Sequence, residues 1–228
     1  GLVALDYSTG NKNWEFKIKQ GVEATPIVYD ETIYFGANDG YFYCLNATTG
    51  ELIWKYNVRK EILSTPTVDQ GMVFFVSTDN TVYALDAKTG KWIWSYNRGF
   101  DNALSIRGNS SPVVFDNHLY IGFSDGYVVS LFKLDGKLIW EKKINFNAKF
   151  YDVSATPVFD EDWIIVPAYD ASLHCLKRKD GSKKWELPSG SAVHVTVEND
   201  RIYYASFSDK AMVALQKQSG TLLWKYEI

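Results

Sequence analysis

Six times the chain repeats a leucine, four residues, a glycine, three residues and a tryptophan: Leu5/Gly10/Trp14, Leu45/Gly50/Trp54, Leu85/Gly90/Trp94, Leu131/Gly136/Trp140, Leu176/Gly181/Trp185 and Leu215/Gly220/Trp224. A self-similar unit whose internal spacing never breaks constrains the fold more than local propensity does, because each copy buries its apolar faces only against its neighbours. Successive tryptophans lie 40, 40, 46, 45 and 39 residues apart, and the variation sits in one place. A proline precedes the tryptophan by 28 residues in four units (Pro26, Pro66, Pro112, Pro157), with Thr196 in the fifth. An aspartate precedes it by 15 residues in all five: Asp39, Asp79, Asp125, Asp170 and Asp209. The stretch from proline to tryptophan is therefore constant, while the link onward to the next unit runs 12, 12, 18, 17 and 11 residues. Insertions are confined to one type of connector.

Each unit reads as four short antiparallel strands. In the first full unit, Thr25 to Tyr29 is apolar and opens next to a proline, which a strand tolerates at its start. Thr32 to Gly36 is β-branched and aromatic, Asn38-Asp39-Gly40 turns the chain, Tyr41 to Asn46 alternates, Thr48-Thr49-Gly50 reverses it and Leu52 to Tyr56 closes the unit. No stretch keeps a 3.6-residue apolar period, so no helix of consequence is expected. A twisted four-stranded sheet cannot cover both of its own faces, so successive sheets stack radially as blades. The fold class is all-β, a β-propeller of four-stranded antiparallel blades: one domain, 1–228, with a half-blade at 1–18 and complete blades at 21–56, 61–96, 107–143, 152–187 and 192–226. Because the chain opens on a third-and-fourth-strand pair, it is expected to be a piece of a longer ring. Trp14, Trp54, Trp94, Trp140, Trp185 and Trp224 are expected to be structural, each flat ring packing on the neighbouring blade and costing about 3–5 kcal/mol if truncated.

With 228 residues, of which 46% are hydrophobic and 16% aromatic, the chain can fill a substantial core. A net charge of −3 argues against nucleic acid as the main partner. The one basic cluster, Lys177-Arg178-Lys179 with Lys183-Lys184, straddles a turn and reads as a solvated hairpin. Cys44 and Cys175 share a repeat position held elsewhere by Ala4, Ala84, Ser130 and Ala214, which indicates two free, buried thiols. His118, His174 and His194 show no metal-ligand spacing, and His174 and Cys175, adjacent on a strand, point to opposite faces.

What recurs in every blade serves folding, the turn aspartates included, so function is sought where the repeat is broken. Two connectors are enlarged: Asn97 to Ser110 and Lys142 to Ala155. They follow consecutive outer strands and so should emerge on one face, flanking one blade. Loops longer than the fold needs are common carriers of binding. Leu104, Ile106, Phe150 and Tyr151 supply apolar and aromatic anchors, and Arg107 and Asp152 supply charge, a composition suited to a protein partner.

The consensus Ala-Leu-Asp-x-x-Thr-Gly-x-x-x-Trp, nearly whole in Ala84 to Trp94, resembles the repeat of pyrroloquinoline-quinone-type propellers. Leu104-Ser105-Ile106-Arg107-Gly108 together with Tyr151-Asp152-Val153-Ser154 further resembles the family of B-subunit lipoproteins of the bacterial outer-membrane β-barrel assembly machinery. That resemblance implies an eight-bladed ring tethered by a lipid at the periplasmic face of the outer membrane, a non-catalytic scaffold without cofactor or metal. The implied partner is the set of periplasmic domains of the central barrel subunit, gripped by Leu104, Ile106, Arg107 and Asp152. Ser154 departs from the family, which usually has a second aspartate there.

Two other functions share the blades. A quinoprotein dehydrogenase needs a Ca²⁺ site, a carboxylate base and often an adjacent cysteine pair; no such pair or constellation stands out here. An extracellular sensor or adhesion propeller would suit the sequons at Asn46 and Asn109, but would have no reason to carry the Ile-Arg-Gly segment.

Overall fold

The computed structural model describes residues 1–99, 110–144, 153, 155–168, 172–189, 195–206 and 209–228. Every regular element among them is a β-strand. A hairpin of Leu2–Leu5 with Lys12–Phe16 is followed by five antiparallel sheets of four strands each, spanning 27–57, 67–97, 113–143, 158–187 and 196–227. In each sheet the strands pair in chain order, the simplest meander. The chain divides into two compact units, 1–99 with the hairpin and two sheets, and 100–228 with three.

The expected strands appear almost residue for residue in the first full sheet. Thr32–Gly36 and Tyr41–Asn46 are as read, and the outer strand runs Leu52–Asn57. The first strand is shorter than the apolar run, Ile27–Tyr29, because Pro26 has no N–H to give the ladder.

The constant part of the repeat is explained by three local devices. First, a side chain before the turn caps it: Asp6, Asn46 and Asp86 each accept the N–H of the threonine three residues on, at 2.8, 2.8 and 2.7 Å. The turn glycine then returns its own N–H to the backbone carbonyl of that capping residue, at 2.8 Å from Gly10 and 2.9 Å from Gly50. Its φ is +74° at Gly50 and +69° at Gly90, the left-handed region that side-chain-bearing residues avoid. Second, the register slips in the same place in every sheet. Cys44 pairs Trp54 but Leu45 pairs Leu52, so Ile53 is left over as a bulge, and the hairpin and the other four sheets repeat the slip. A bulge re-aims side chains, which is why Leu52 and Ile53 are both exposed although they are consecutive.

The third device is the tryptophan. At the hairpin and at three of the sheets its ring lies over the turn glycine of the following sheet. A Cβ on Gly50 or Gly90 would fall 2.6 Å from Trp14 or Trp54, one on Gly181 2.7 Å from Trp140, and one on Gly220 2.9 Å from Trp185. The indole Nε1 of each donates to a carbonyl of that same sheet, Ala47 (3.1 Å), Ala87 (3.0 Å), Arg178 (2.7 Å) and Lys217 (3.1 Å). The repeat thus encodes both halves of a junction, the ring and the glycine that makes room for it. Trp94 is buried beside Phe74. Trp224 corrects the expectation that all six rings are packed away: it is 43% exposed, with the Tyr203 ring tilted beside it at 6.1 Å between centroids.

Between sheets the interior is apolar and aromatic. In the first unit Phe42 and Phe75 stack at 4.0 Å across the junction of the two full sheets, with Tyr34, Ile62, Val73 and Leu85 around them. In the second unit one cluster joins Tyr120, Val128 and Trp140 to Ile164 and Val166, and another joins Ile165 and Cys175 to Ile202 and Val213. Cys44 and Cys175 are free, buried thiols, as their repeat position implied.

The basic run is the second correction. Its centre is not solvated: the Arg178 side chain is 16% exposed, its guanidinium lies 3.8 Å from the Phe115 ring centroid, and it pairs with Asp116 at 3.3 Å. The cause is the junction itself. The Arg178 carbonyl must accept the Trp140 indole, which presses that backbone against the preceding sheet and carries the side chain with it.

Candidate protein-interaction surface

The turn aspartates behave as structural residues. Asp39 accepts the Tyr41 N–H at 3.1 Å and the Tyr43 hydroxyl at 2.7 Å, which together with burial pushes that phenol far above its ordinary range. Asp125 accepts the Tyr127 N–H at 3.2 Å, and Asp79 accepts the Ser77 hydroxyl. Asp209 takes hydroxyls from Ser189 and Ser206 at 2.7 and 2.8 Å and the Lys225 ammonium at 3.1 Å; these hold its carboxyl down to about 2. Asp170 lies outside the described residues.

Both thiols are buried, and of the two described imidazoles His174 is buried and His118 partly so. Burial raises Cys44 to about 11 and Cys175 to about 12, so neither is a thiolate near neutrality. Cys175 packs into the cluster with Ile202, whereas His174 faces the other way and bonds the Ser172 hydroxyl at 2.6 Å, the opposed orientation expected of neighbours on a strand. Burial lowers both His118 and His174. Among the described residues no group of three or more histidines, cysteines or carboxylates is placed to hold a metal ion.

All six residues expected to bind a partner, Leu104, Ile106, Arg107, Phe150, Tyr151 and Asp152, lie outside the described residues, as does Ser154. The roots of their connectors are described. At the start of the first, the Gly99 N–H donates to Asn97 Oδ1 at 2.6 Å, and Gly99 takes φ +62°. Where that connector rejoins the sheet, Ser110 is fully buried; its N–H donates to the Gly122 carbonyl at 3.1 Å and its Oγ accepts the Gly122 N–H at 2.6 Å. At the start of the second, the Ile144 N–H bonds the Gly126 carbonyl at 2.9 Å.

Near the end of the second connector, Val153 is fully buried over Gly122, where a Cβ would come within 2.5 Å of it, and donates its N–H to the Phe123 carbonyl at 3.1 Å. The short connector of the first unit is pinned the same way, by Ile62 over Gly36. The long connector thus keeps the ordinary anchor and carries its extra residues ahead of it. Sequence reasoning missed Val153 and Ser110 as anchors; the strand-end glycines Gly36 and Gly122 were the available signal. One further bond joins the two exits: the Ser111 N–H donates to Thr156 Oγ1 at 3.3 Å. The points at which the two enlarged connectors rejoin their sheets are therefore neighbours.

Comparison with known proteins adds the following. The family described as Outer membrane protein assembly factor BamB matches residues 1–226. Among curated proteins, Outer membrane protein assembly factor BamB of Yersinia pestis is 30% identical over 128 residues, 54% of this chain and 32% of that protein. The chain spans about a third of the length of such curated relatives. Among solved structures, BamB from Moraxella catarrhalis superposes with a TM-score of 0.88 at 20% identity, covering 99% of this chain and 70% of that one. Quinohemoprotein alcohol dehydrogenase ADHIIG from Pseudomonas putida HK5 superposes at 0.77 with 18% identity, covering 94% and 43%. At these identities the structural likeness is one of fold, and that fold is the β-propeller.

Proposed function

This chain belongs to the Outer membrane protein assembly factor BamB family, and from that premise we propose that it is a non-catalytic scaffold in the assembly of outer-membrane proteins. Its place is the periplasmic face of the outer membrane, held there by a lipid anchor. Its partner is the set of periplasmic domains of the central barrel subunit. The partner-binding surface is formed by the two long connectors, with Leu104 and Ile106 filling an apolar recess, Arg107 and Asp152 orienting the partner through charge-assisted hydrogen bonds, and Phe150 and Tyr151 as aromatic anchors.

The observation that carries this reading is the Ser111 to Thr156 bond. It makes neighbours of the exits of the only two enlarged connectors in the chain, as a composite surface requires, and Ser110 and Val153 hold those exits rigidly to the sheets beneath. A scaffold of this kind needs no turnover: specificity comes from a few anchors presented by a stiff frame.

The test is the double variant Leu104→Ala/Arg107→Ala titrated against the isolated periplasmic domains of the barrel subunit. Affinity should fall by about a hundredfold, the loss of two interface anchors at roughly 1–2 kcal/mol each, with the melting temperature nearly unchanged. Unaltered affinity would remove these residues from the surface. A collapsed fold would show that they pack the connector instead.

A further inference from the structure

The second long connector leaves its sheet at Ile144, a buried residue held from two sides. Its N–H donates to the Gly126 carbonyl of its own sheet at 2.9 Å, and its carbonyl accepts a ring N–H of His174 from the following sheet, 158–187. His174 is 4% exposed, and its Nε2 shares a 2.6 Å bond with the hydroxyl of Ser172, which is buried as well. An imidazole has two nitrogens, and the bond made by one settles the role of the other, so with Nε2 on Ser172 it is Nδ1 that donates to the Ile144 carbonyl. The root of the connector is clipped across two sheets.

The clip goes with connector length. Within the two compact units, three short links lead into sheets that carry Tyr43, Tyr83 and Val213 at this repeat position, and the long link leads into the sheet that carries His174. The backbone bond at the root is common to both forms, since the Val58 N–H of a short link donates to the Gly40 carbonyl at 2.9 Å. The tyrosines have other tasks: Tyr43 donates its hydroxyl to Asp39 at 2.7 Å, and Tyr83 stacks on Phe75 at 5.3 Å. Burying an imidazole costs more than burying a valine, so the hydrogen bond it makes is what distinguishes this junction.

We propose that His174 is a positioning residue for partner binding, which by holding the Ile144 carbonyl fixes where the second long connector leaves its sheet. The role rests on the assembly reading, in which Phe150, Tyr151 and Asp152 of that connector meet the partner. Val153, buried over Gly122, supplies the anchor at the far end. A segment tied at both ends has less conformational freedom to lose on binding than one tied at a single end, and affinity gains accordingly.

The test compares His174→Leu, which fills the space without a donor, with His174→Asn, which keeps a donor near the Nδ1 position. Amide hydrogen exchange of the whole chain, followed by nuclear magnetic resonance, needs no partner. The Ile144 N–H should exchange about tenfold faster in His174→Leu, with the Val153 N–H unchanged, and should stay within about twofold of the parent in His174→Asn. Affinity for the isolated periplasmic domains of the barrel subunit should fall about fivefold in His174→Leu and recover in His174→Asn. Ile202→Val, in the cluster on the other side of the same sheet, loses core packing without touching Ile144 and should leave both readouts as they are. Melting curves check folding, and Ser172→Ala, which releases the ring from its other end, should show the same pattern in smaller size and serves if His174→Leu does not fold. An unchanged Ile144 exchange rate, an unchanged affinity, no recovery in His174→Asn, or an equal loss in Ile202→Val would each overturn the positioning role. A parent chain that does not bind those domains would instead overturn the assembly reading and the role built on it, while the exchange data would still show whether the clip exists.

Discussion

Replacing the repeat tryptophan by alanine at two blades of the same unit should give very different costs, because the same residue occupies two environments. Trp140 is 8% exposed, lies over Gly181, donates Nε1 to the Arg178 carbonyl at 2.7 Å and meets Tyr120 at 6.0 Å between centroids. A ring of this size buries roughly 150–250 Å², and at about 25 cal/mol per Å² its removal forfeits about 4–6 kcal/mol as an upper bound. The lost hydrogen bond adds little, since the Tyr120 hydroxyl also donates to the Arg178 carbonyl, at 3.4 Å. Trp140→Ala should therefore cost about 4 kcal/mol. In the 228-residue chain Trp224 is 43% exposed, with the Tyr203 ring at 6.1 Å between centroids, so Trp224→Ala there should cost about 1 kcal/mol. Urea denaturation followed by far-ultraviolet circular dichroism measures both, and the difference should exceed about 2 kcal/mol. If Trp224→Ala costs as much as Trp140→Ala, the ring-on-glycine junction is not what holds successive sheets together, and the reasoning fails.

The glycine half of the junction can be tested separately. Gly90→Ala would place a Cβ 2.6 Å from Trp54 at φ +69°, while Gly10→Ala places one in open space at φ +71°. Both pay about 1 kcal/mol for the left-handed backbone, and Gly90→Ala should lose about 1–3 kcal/mol more as the indole is displaced; equal losses in chemical denaturation would count against it. Asp209 gives a pH dependence. Its pKa is depressed, chiefly by the Ser189 and Ser206 hydroxyls and then by Lys225, so its share of stability is present above pH 4 and is lost as pH falls toward about 2. The full shift would be worth roughly 2.5 kcal/mol, reduced by solvent screening at a carboxylate 34% exposed to about 1. Asp209→Asn should remove that increment from the acid limb of a stability-versus-pH curve, and superimposable curves would refute it.

How much was legible in the sequence follows from where the physics is local. The turns could be read because a capping Asp or Asn, a threonine and a left-handed glycine make their bonds within six residues, as at Asp86 to Lys91. The junction ring could be read because it recurs. The bulge beside each tryptophan could not, since Leu52 and Ile53 look like ordinary strand residues and only the pairing of Leu45 with Leu52 reveals the slip. Arg178 misled because charge in a turn suggests solvent, whereas its carbonyl is an obligatory partner of Trp140 on another sheet, a constraint carried by backbone and invisible in residue type. The anchors Ser110 and Val153 were overlooked for a similar reason: their importance lies in what they touch, Gly122, rather than in what they are.

The constant and variable parts of the repeat then have one explanation. The turn glycine and the tryptophan of the repeat are fixed twice, once within their own sheet and once against a ring, a glycine or a carbonyl of a neighbouring one, so an insertion between them would break two contacts. The link between blades is fixed at its root, as by the Val58 and Ile144 N–H groups on the Gly40 and Gly126 carbonyls, and again near its end, by Ile62 over Gly36 in the short form and Val153 over Gly122 in the long one. Residues added ahead of that anchor disturb neither sheet nor junction, and loop closure penalises them only logarithmically, by a few tenths of a kcal/mol for about six residues. The fold therefore admits new surface cheaply at one kind of place only. Because Ser111 and Thr156 are bonded, the exits of two such additions at successive links are neighbours.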